Sequence, residues 1–147
     1  MIKKILLGFF ACCLLMQAQA HSPVWLIDLP AALNTADSQH KLVLADFTGS
    51  DWCIWCKRLD TNILSTKIFA KYADKNLVLL RLDYPRKKPQ SAELKAANKA
   101  LAKKYKLEGF PTLIAFRPDG SIAWQNVGYM DGGPQVLIDA LNKAKQK

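Results

Sequence analysis

The sequence predicts one α/β domain, a three-layer sandwich in which a central mixed β-sheet carries helices on both faces. Three observations predict it. Apolar runs at residues 42–47, 77–82 and 112–116 are short and nearly continuous, as in strands buried on both faces. Segments with apolar residues at helical spacing separate the first run from the second and the second from the third. A Pro118-Asp119-Gly120 turn then sends the chain back as a hairpin. Alternating strands and helices imply parallel pairing through right-handed crossovers, and the hairpin adds an antiparallel edge.

Residues 1–20 read as a secretory signal peptide. Lys3 and Lys4 precede an apolar run at 5–16, and Ala18-Gln19-Ala20 forms a small-x-small cleavage site. The run is shorter than the ~20 residues that span a bilayer. The mature domain is expected to be residues 21–147, periplasmic or secreted. An uncleaved anchor and lipid attachment at Cys12 are the alternatives, the latter disfavoured by the Phe9-Phe10-Ala11 flank.

The elements follow in order. Residues 30–38 suit a short helix with proline near its first turn. The strand at 42–47 leads into the polar loop Thr48-Gly49-Ser50-Asp51, where Ser50 or Asp51 is expected to cap the next helix. That helix starts around Cys53 and runs to about Leu64. Ser65-Thr66 interrupts it before a second stretch at 67–73. After the strand at 77–82, residues 84–89 form a basic loop marked by prolines. Residues 91–105 are a helix with Lys95, Lys99, Lys103 and Lys106 on one face. Leu94, Ala97, Leu101 and Tyr105 stand opposite, a buried stripe under a solvated one. Residues 122–127 are the returning strand, and Gly132-Gly133-Pro134 opens a last helix with Leu137, Leu141 and Ala144 on one face.

The chain of 147 residues carries a formal charge of +9, which falls to +7 without Lys3 and Lys4. The lysine-striped helix accounts for much of it, and no nucleic-acid-binding motif accompanies it, so nucleic acid is not an expected partner. A monomer is expected.

Cys53-Ile54-Trp55-Cys56 stands at the predicted strand–helix junction. A thiol at a helix N-terminus meets unpaired N–H groups and the positive end of the dipole, which favour the nucleophilic thiolate. A second thiol one turn on is placed to resolve a mixed disulfide. So short a loop stabilises a fold little when closed, which argues for chemistry over a small structural disulfide or two packed thiols. No metal is expected, because two cysteines half-fill a tetrahedral site and only His21 and His40 offer nitrogen. Haem attachment requires histidine after the second cysteine, and Lys57 stands there. Asp46 sits inside an apolar strand, where desolvation should raise its pKa.

Three separated segments resemble the thioredoxin superfamily, over about residues 29–145. They are Leu44-Ala45-Asp46-Phe47 with Trp52-Cys53-Ile54-Trp55-Cys56-Lys57, then Leu107-Glu108-Gly109-Phe110-Pro111-Thr112-Leu113, then Val127-Gly128. The flavour is that of exported thioredoxin-like proteins. Two departures from thioredoxin itself stand out: one extra residue between Asp46 and Cys53, and Ile54-Trp55 in place of Gly-Pro. The resemblance implies a thiol–disulfide oxidoreductase with no cofactor beyond its redox-active disulfide. Cys53 would attack, Cys56 would resolve, and Asp46 behind Cys56 would exchange its proton. Pro111 would be a cis proline, with the Phe110 backbone, Gly128, Trp52 and Trp55 bordering the substrate. Lys57 would anchor the Asp46 region or favour thiolate.

Strong oxidants and isomerases of the superfamily carry a histidine between the cysteines, and Ile54-Trp55 contributes no charge. Function in the reducing direction on protein disulfides is therefore expected, with a membrane electron-transfer partner as the source of electrons. An oxidase or isomerase is the rival within the enzyme class. A thioredoxin-fold binding module with inert cysteines is the rival outside it.

Overall fold

The computed structural model describes residues 23–146, so the expected signal peptide and Cys12 lie outside the described residues. In chain order the elements are β1 (Trp25–Leu26), α1 (Leu29–Gln39), β2 (Leu42–Thr48), α2 (Ile54–Leu59), a π-helical turn (Asp60–Leu64), α3 (Lys67–Asn76), β3 (Leu77–Asp83), α4 (Ala92–Lys104), β4 (Thr112–Phe116), β5 (Ile122–Val127) and α5 (Pro134–Lys145).

The five strands form one sheet in the order β1-β3-β2-β4-β5. β2 is its centre, parallel to β3 and antiparallel to β4, and β5 closes one edge as a hairpin with β4. The sheet is mixed, as the alternation and the turn predict. The strand β1 is not foreseen in the sequence. Its two residues pair parallel with β3, Trp25 opposite Leu79, and so short a piece carries no readable period.

The period of two along β2 divides the core. Leu42 and Leu44 face α3, α5 and the π-helical turn, packing with Leu59, Ile63, Phe69, Leu137 and Leu141. Val43, Ala45 and Phe47 face the other way, against Ala32 and Ala36 of α1 and against Leu101 and Tyr105 near the end of α4. By the same alternation Asp46 and Thr48 belong to the α2 side, where the cysteines are.

Two local expectations are corrected. Ala97 is exposed, and Asn98 is the buried residue of α4. The helix is turned by one residue, and the Asn98 side-chain amide donates to Asp83 O at 2.9 Å while its backbone carbonyl accepts from the Tyr84 hydroxyl at 2.7 Å. Neither Ser50 nor Asp51 caps α2. Cys53 does so, its sulfur accepting from Cys56 N–H at 3.2 Å, because Ser50 and Asp51 are drawn to partners more than thirty residues away. No helix among the described residues is long and apolar enough to cross a membrane.

Candidate active site

The end of β2 delivers the chain into a tight loop that positions both sulfurs. Cys53 N–H donates to Gly49 O at 2.8 Å, and Gly49 N–H points at Cys56 Sγ from 3.5 Å. Gly49 is required by space, since a Cβ there would collide with the Trp52 indole. Cys53 and Cys56 form a disulfide with their Cα atoms 5.2 Å apart. Both are buried side chains, whereas Ile54 and Trp55 between them are about half exposed, at 59% and 48%.

Behind the disulfide lies a cleft of about 330 Å³ lined by Asp46, Thr48, Ser50, Cys56, Lys57, Asp60, Thr61 and Arg81. Asp46 is 2% exposed, and burial raises its pKa to about 7 against the opposing pull of Arg81. Arg81 stands directly across in the β2–β3 register, its Nε 3.4 Å from Asp46 Oδ2. Its other end holds Asp60 Oδ1 at 2.7 Å, a contact made at the start of the π-helical turn. Asp46 Oδ1 has no protein hydrogen-bond partner and is free to take a proton.

Arg81 and Asp60 are missed by the sequence reading. A signal existed: Arg81 breaks the apolar run of its strand as Asp46 breaks its own. Lys57, expected near Asp46, lines the same cleft, with its amine 3.5 Å from Asp51 O.

The Phe110–Pro111 peptide bond is cis, as the resemblance implies, and Pro111 is buried. Gly128 N–H donates to Pro111 O at 2.7 Å, and Gly128 holds φ +91°, a backbone region that favours glycine. Trp55, Phe110, Gly128, Tyr129 and Asp131 line a shallow groove of about 320 Å³. The Trp55 ring lies 5.7 Å from that of Tyr129 and under the Arg58 guanidinium at 4.7 Å. Tyr129 and Asp131 carry no sequence signal of their own.

Trp52 lies to one side of this groove. Its indole N–H donates to Tyr84 O at 2.8 Å, its ring meets Phe110 edge-on at 5.6 Å, and Arg86 stacks on it at 3.9 Å. The structure thus joins Cys53, Cys56 and Asp46 on one side, and Trp55, Phe110, Pro111 and Gly128 on the other. Trp52 bridges to the loop at 84–89. Among the described residues no cluster of three His, Cys, Asp or Glu side chains is placed to hold a metal ion.

Residues 29–145 match the model of the thioredoxin-like domain family. Disulfide bond reductase DsbH of Chlamydia pneumoniae is 32% identical over 113 residues, covering 77% of this chain and 68% of the relative. A solved structure of a DsbH oxidoreductase superposes with TM-score 0.79 at 29% identity, covering 86% of each chain. The C-terminal domain of Neisseria meningitidis DsbD in its oxidised form is similar at 25% identity and TM-score 0.59, over 82% of this chain and 99% of that one. Three buried strands, a Cys53–Cys56 disulfide at a helix start and a cis proline before the hairpin agree with these matches: the chain belongs to the thioredoxin-like family of thiol–disulfide oxidoreductases.

Proposed function

We propose that this chain is an exported reductase of protein disulfides, with Cys53 as the attacking thiol, Cys56 as the resolving thiol and Asp46 as the proton acceptor. Starting from the dithiol, the Cys53 thiolate attacks one sulfur of a substrate disulfide. That bond breaks, a mixed disulfide forms, and the departing substrate thiolate takes a proton from solvent. Cys56 then gives its proton to the Asp46 carboxylate and attacks Cys53 Sγ. The second substrate sulfur leaves as thiolate and takes a proton from solvent, Asp46 returns its own to solvent, the Cys53–Cys56 disulfide forms, and two electrons pass to the substrate. Trp55, Phe110, Pro111 and Gly128 border the surface on which an extended substrate segment lies, with Trp52 supporting its edge.

The observation that carries the proton role is the buried Asp46, its pKa raised to about 7 in the cleft that also reaches Cys56. A general base works best with a pKa near the operating pH. The reducing direction is supported by the uncharged Ile54-Trp55 pair, which offers the Cys53 thiolate no histidine charge. It is also supported by the likeness to a protein named disulfide bond reductase. A reductase outside the cytoplasm needs electrons from elsewhere, and a membrane electron-transfer partner fits that need.

The test is the equilibrium reduction potential of the Cys53–Cys56 pair, read by titration against a dithiol buffer. A value near the ~−270 mV of thioredoxin is expected, and one near the ~−120 mV of strong oxidants would reverse the direction. The Cys56→Ser variant is expected to accumulate mixed disulfides with protein substrates. A chain whose cysteines are inert would accumulate none.

A further inference from the structure

The basic segment at 84–89 is tied to the active-site loop by its own backbone. Asp51 accepts the N–H groups of Arg86, Lys87 and Lys88 at 3.0, 2.7 and 2.9 Å. Arg86 stacks on Trp52, the residue before Cys53, and Lys88 Nζ lies 3.2 Å from Ser50 Oγ. Gln90, and Asn98 of α4, donate to Asp83 O, and the Tyr84 hydroxyl donates to the Asn98 backbone carbonyl, tying the segment to α4.

Between this loop and α4 runs a cleft of about 540 Å³. Arg86, Lys88, Lys95 and Lys99 line it, and no carboxylate does. Lys95 and Lys99 are four residues apart, one turn of the same helix face. Asp51 and Asp83 stand nearby but outside the lining, held by three backbone donors and by the N–H and hydroxyl of Ser50, and their charges offset part of the basic field. A backbone already ordered loses little further entropy when a partner arrives.

We propose that this cleft docks an acidic segment of the protein substrate beside the cysteine that reacts with Cys53. The proposal rests on the reading of Cys53–Cys56 as a dithiol acting on protein disulfides, and it names the substrate class: proteins with Asp or Glu flanking that disulfide. Four cations in this cleft, two of them on the reacting loop through Trp52 and Ser50, raise the encounter rate for such segments and lower it for basic ones.

The test begins with binding, which needs no thiol chemistry. A fluorescein-labelled, cysteine-free peptide of alternating Glu and Gly is titrated with the oxidised protein by anisotropy, beside its Ser-for-Glu counterpart. Roughly tenfold tighter binding of the Glu peptide is expected at low ionic strength, vanishing when salt shortens the Debye length to ~3 Å near 1 M. The double variant Lys95→Glu/Lys99→Glu should erase the preference. Lys71→Glu/Lys75→Glu, the same spacing and charge change on α3, should keep most of it. Equal binding of the two peptides, or equal loss in both double variants, overturns the proposal.

A kinetic arm compares kcat/KM of the reduced protein for a disulfide peptide with acidic flanks and one with serine flanks. A ratio of about ten, collapsing toward one in Lys95→Glu/Lys99→Glu, is expected from the same charge complementarity. Reduction of neither peptide would sink the reductase reading, and the binding arm would still decide the docking surface.

Discussion

Asp46 and Asp51 are the same side chain five positions apart, and the fold moves them in opposite directions. Asp46 lies inside the buried strand β2, lines the cleft that reaches Cys56, and has its pKa raised to about 7 by loss of water. Asp51 stands in the loop, accepts three backbone N–H bonds, and has its pKa lowered to about 2. One carboxyl has its pKa brought near neutral, and the other stays charged and holds a loop in place. The difference lies in what each carboxylate faces: burial with one arginine opposed by the carboxylates of Asp60 and Asp83, or three amide donors.

The comparison breaks most sharply at Asp46. Asp46→Asn removes the proposed base while keeping the shape. A fall of about 10²-fold in the resolving step is expected, measured as the decay of the mixed disulfide at pH 7. The same variant should be more stable than the parent above neutrality. A carboxyl whose folded pKa lies above its unfolded value stabilises the fold below pH 3.8 and loses that contribution as pH rises through about 7. At roughly 1.4 kcal/mol per unit, the gain at pH 8 is on the order of 2–4 kcal/mol, reduced by whatever Arg81 loses. Denaturant melts at pH 5 and pH 8 decide this, and an equal effect at both would show that Asp46 does not titrate there.

The next effect sharpens the comparison by removing what holds Asp46 down. Arg81 is the largest opposing influence on its pKa, so Arg81→Met should raise that pKa above about 7. The pH profile of the resolving step should move to the alkaline side, with a loss of roughly tenfold at pH 7. An unchanged profile would separate Asp46 from the reaction.

The smallest effect belongs to the other carboxylate. Asp51→Ala frees three N–H groups, and amide exchange at Arg86, Lys87 and Lys88 should quicken by about tenfold. The pH profile between 5 and 8 should not change. A lowered pKa gives stability that is present above pH 3.8 and is lost only as pH falls through about 2, so Asp51 is ionised throughout that window. A shifted profile in this variant would mean that the loop, not Asp46 alone, sets the proton chemistry.

The fold was legible where local pattern and burial agree. The three central strands, the hairpin and the last helix lie within a residue or two of their predicted bounds, because runs such as 42–47 suit only a strand covered on both faces. Illegible features depend on distant partners. The two residues of β1 acquire strand geometry only from β3. Ser50 and Asp51 have the composition of helix caps, but Asp83 and the loop at 84–89 claim them, leaving the cap to Cys53. In the alanine-rich α4, a one-residue turn of the buried face was invisible until Asn98 found Asp83 O.

The sequence by itself determined the α/β order, the C-I-W-C motif at a helix start, and the Gly-Phe-Pro-Thr segment before the hairpin. These are short-range statements about period, turn chemistry and spacing, and a linear chain carries them in full. Only the tertiary structure decided that Arg81 faces Asp46, that Asp60 holds its far end, and that four cations line one cleft beside Trp52. Each of these depends on strand register or loop docking between segments tens of residues apart, and charges interact through the distance that folding sets, not through their separation along the chain.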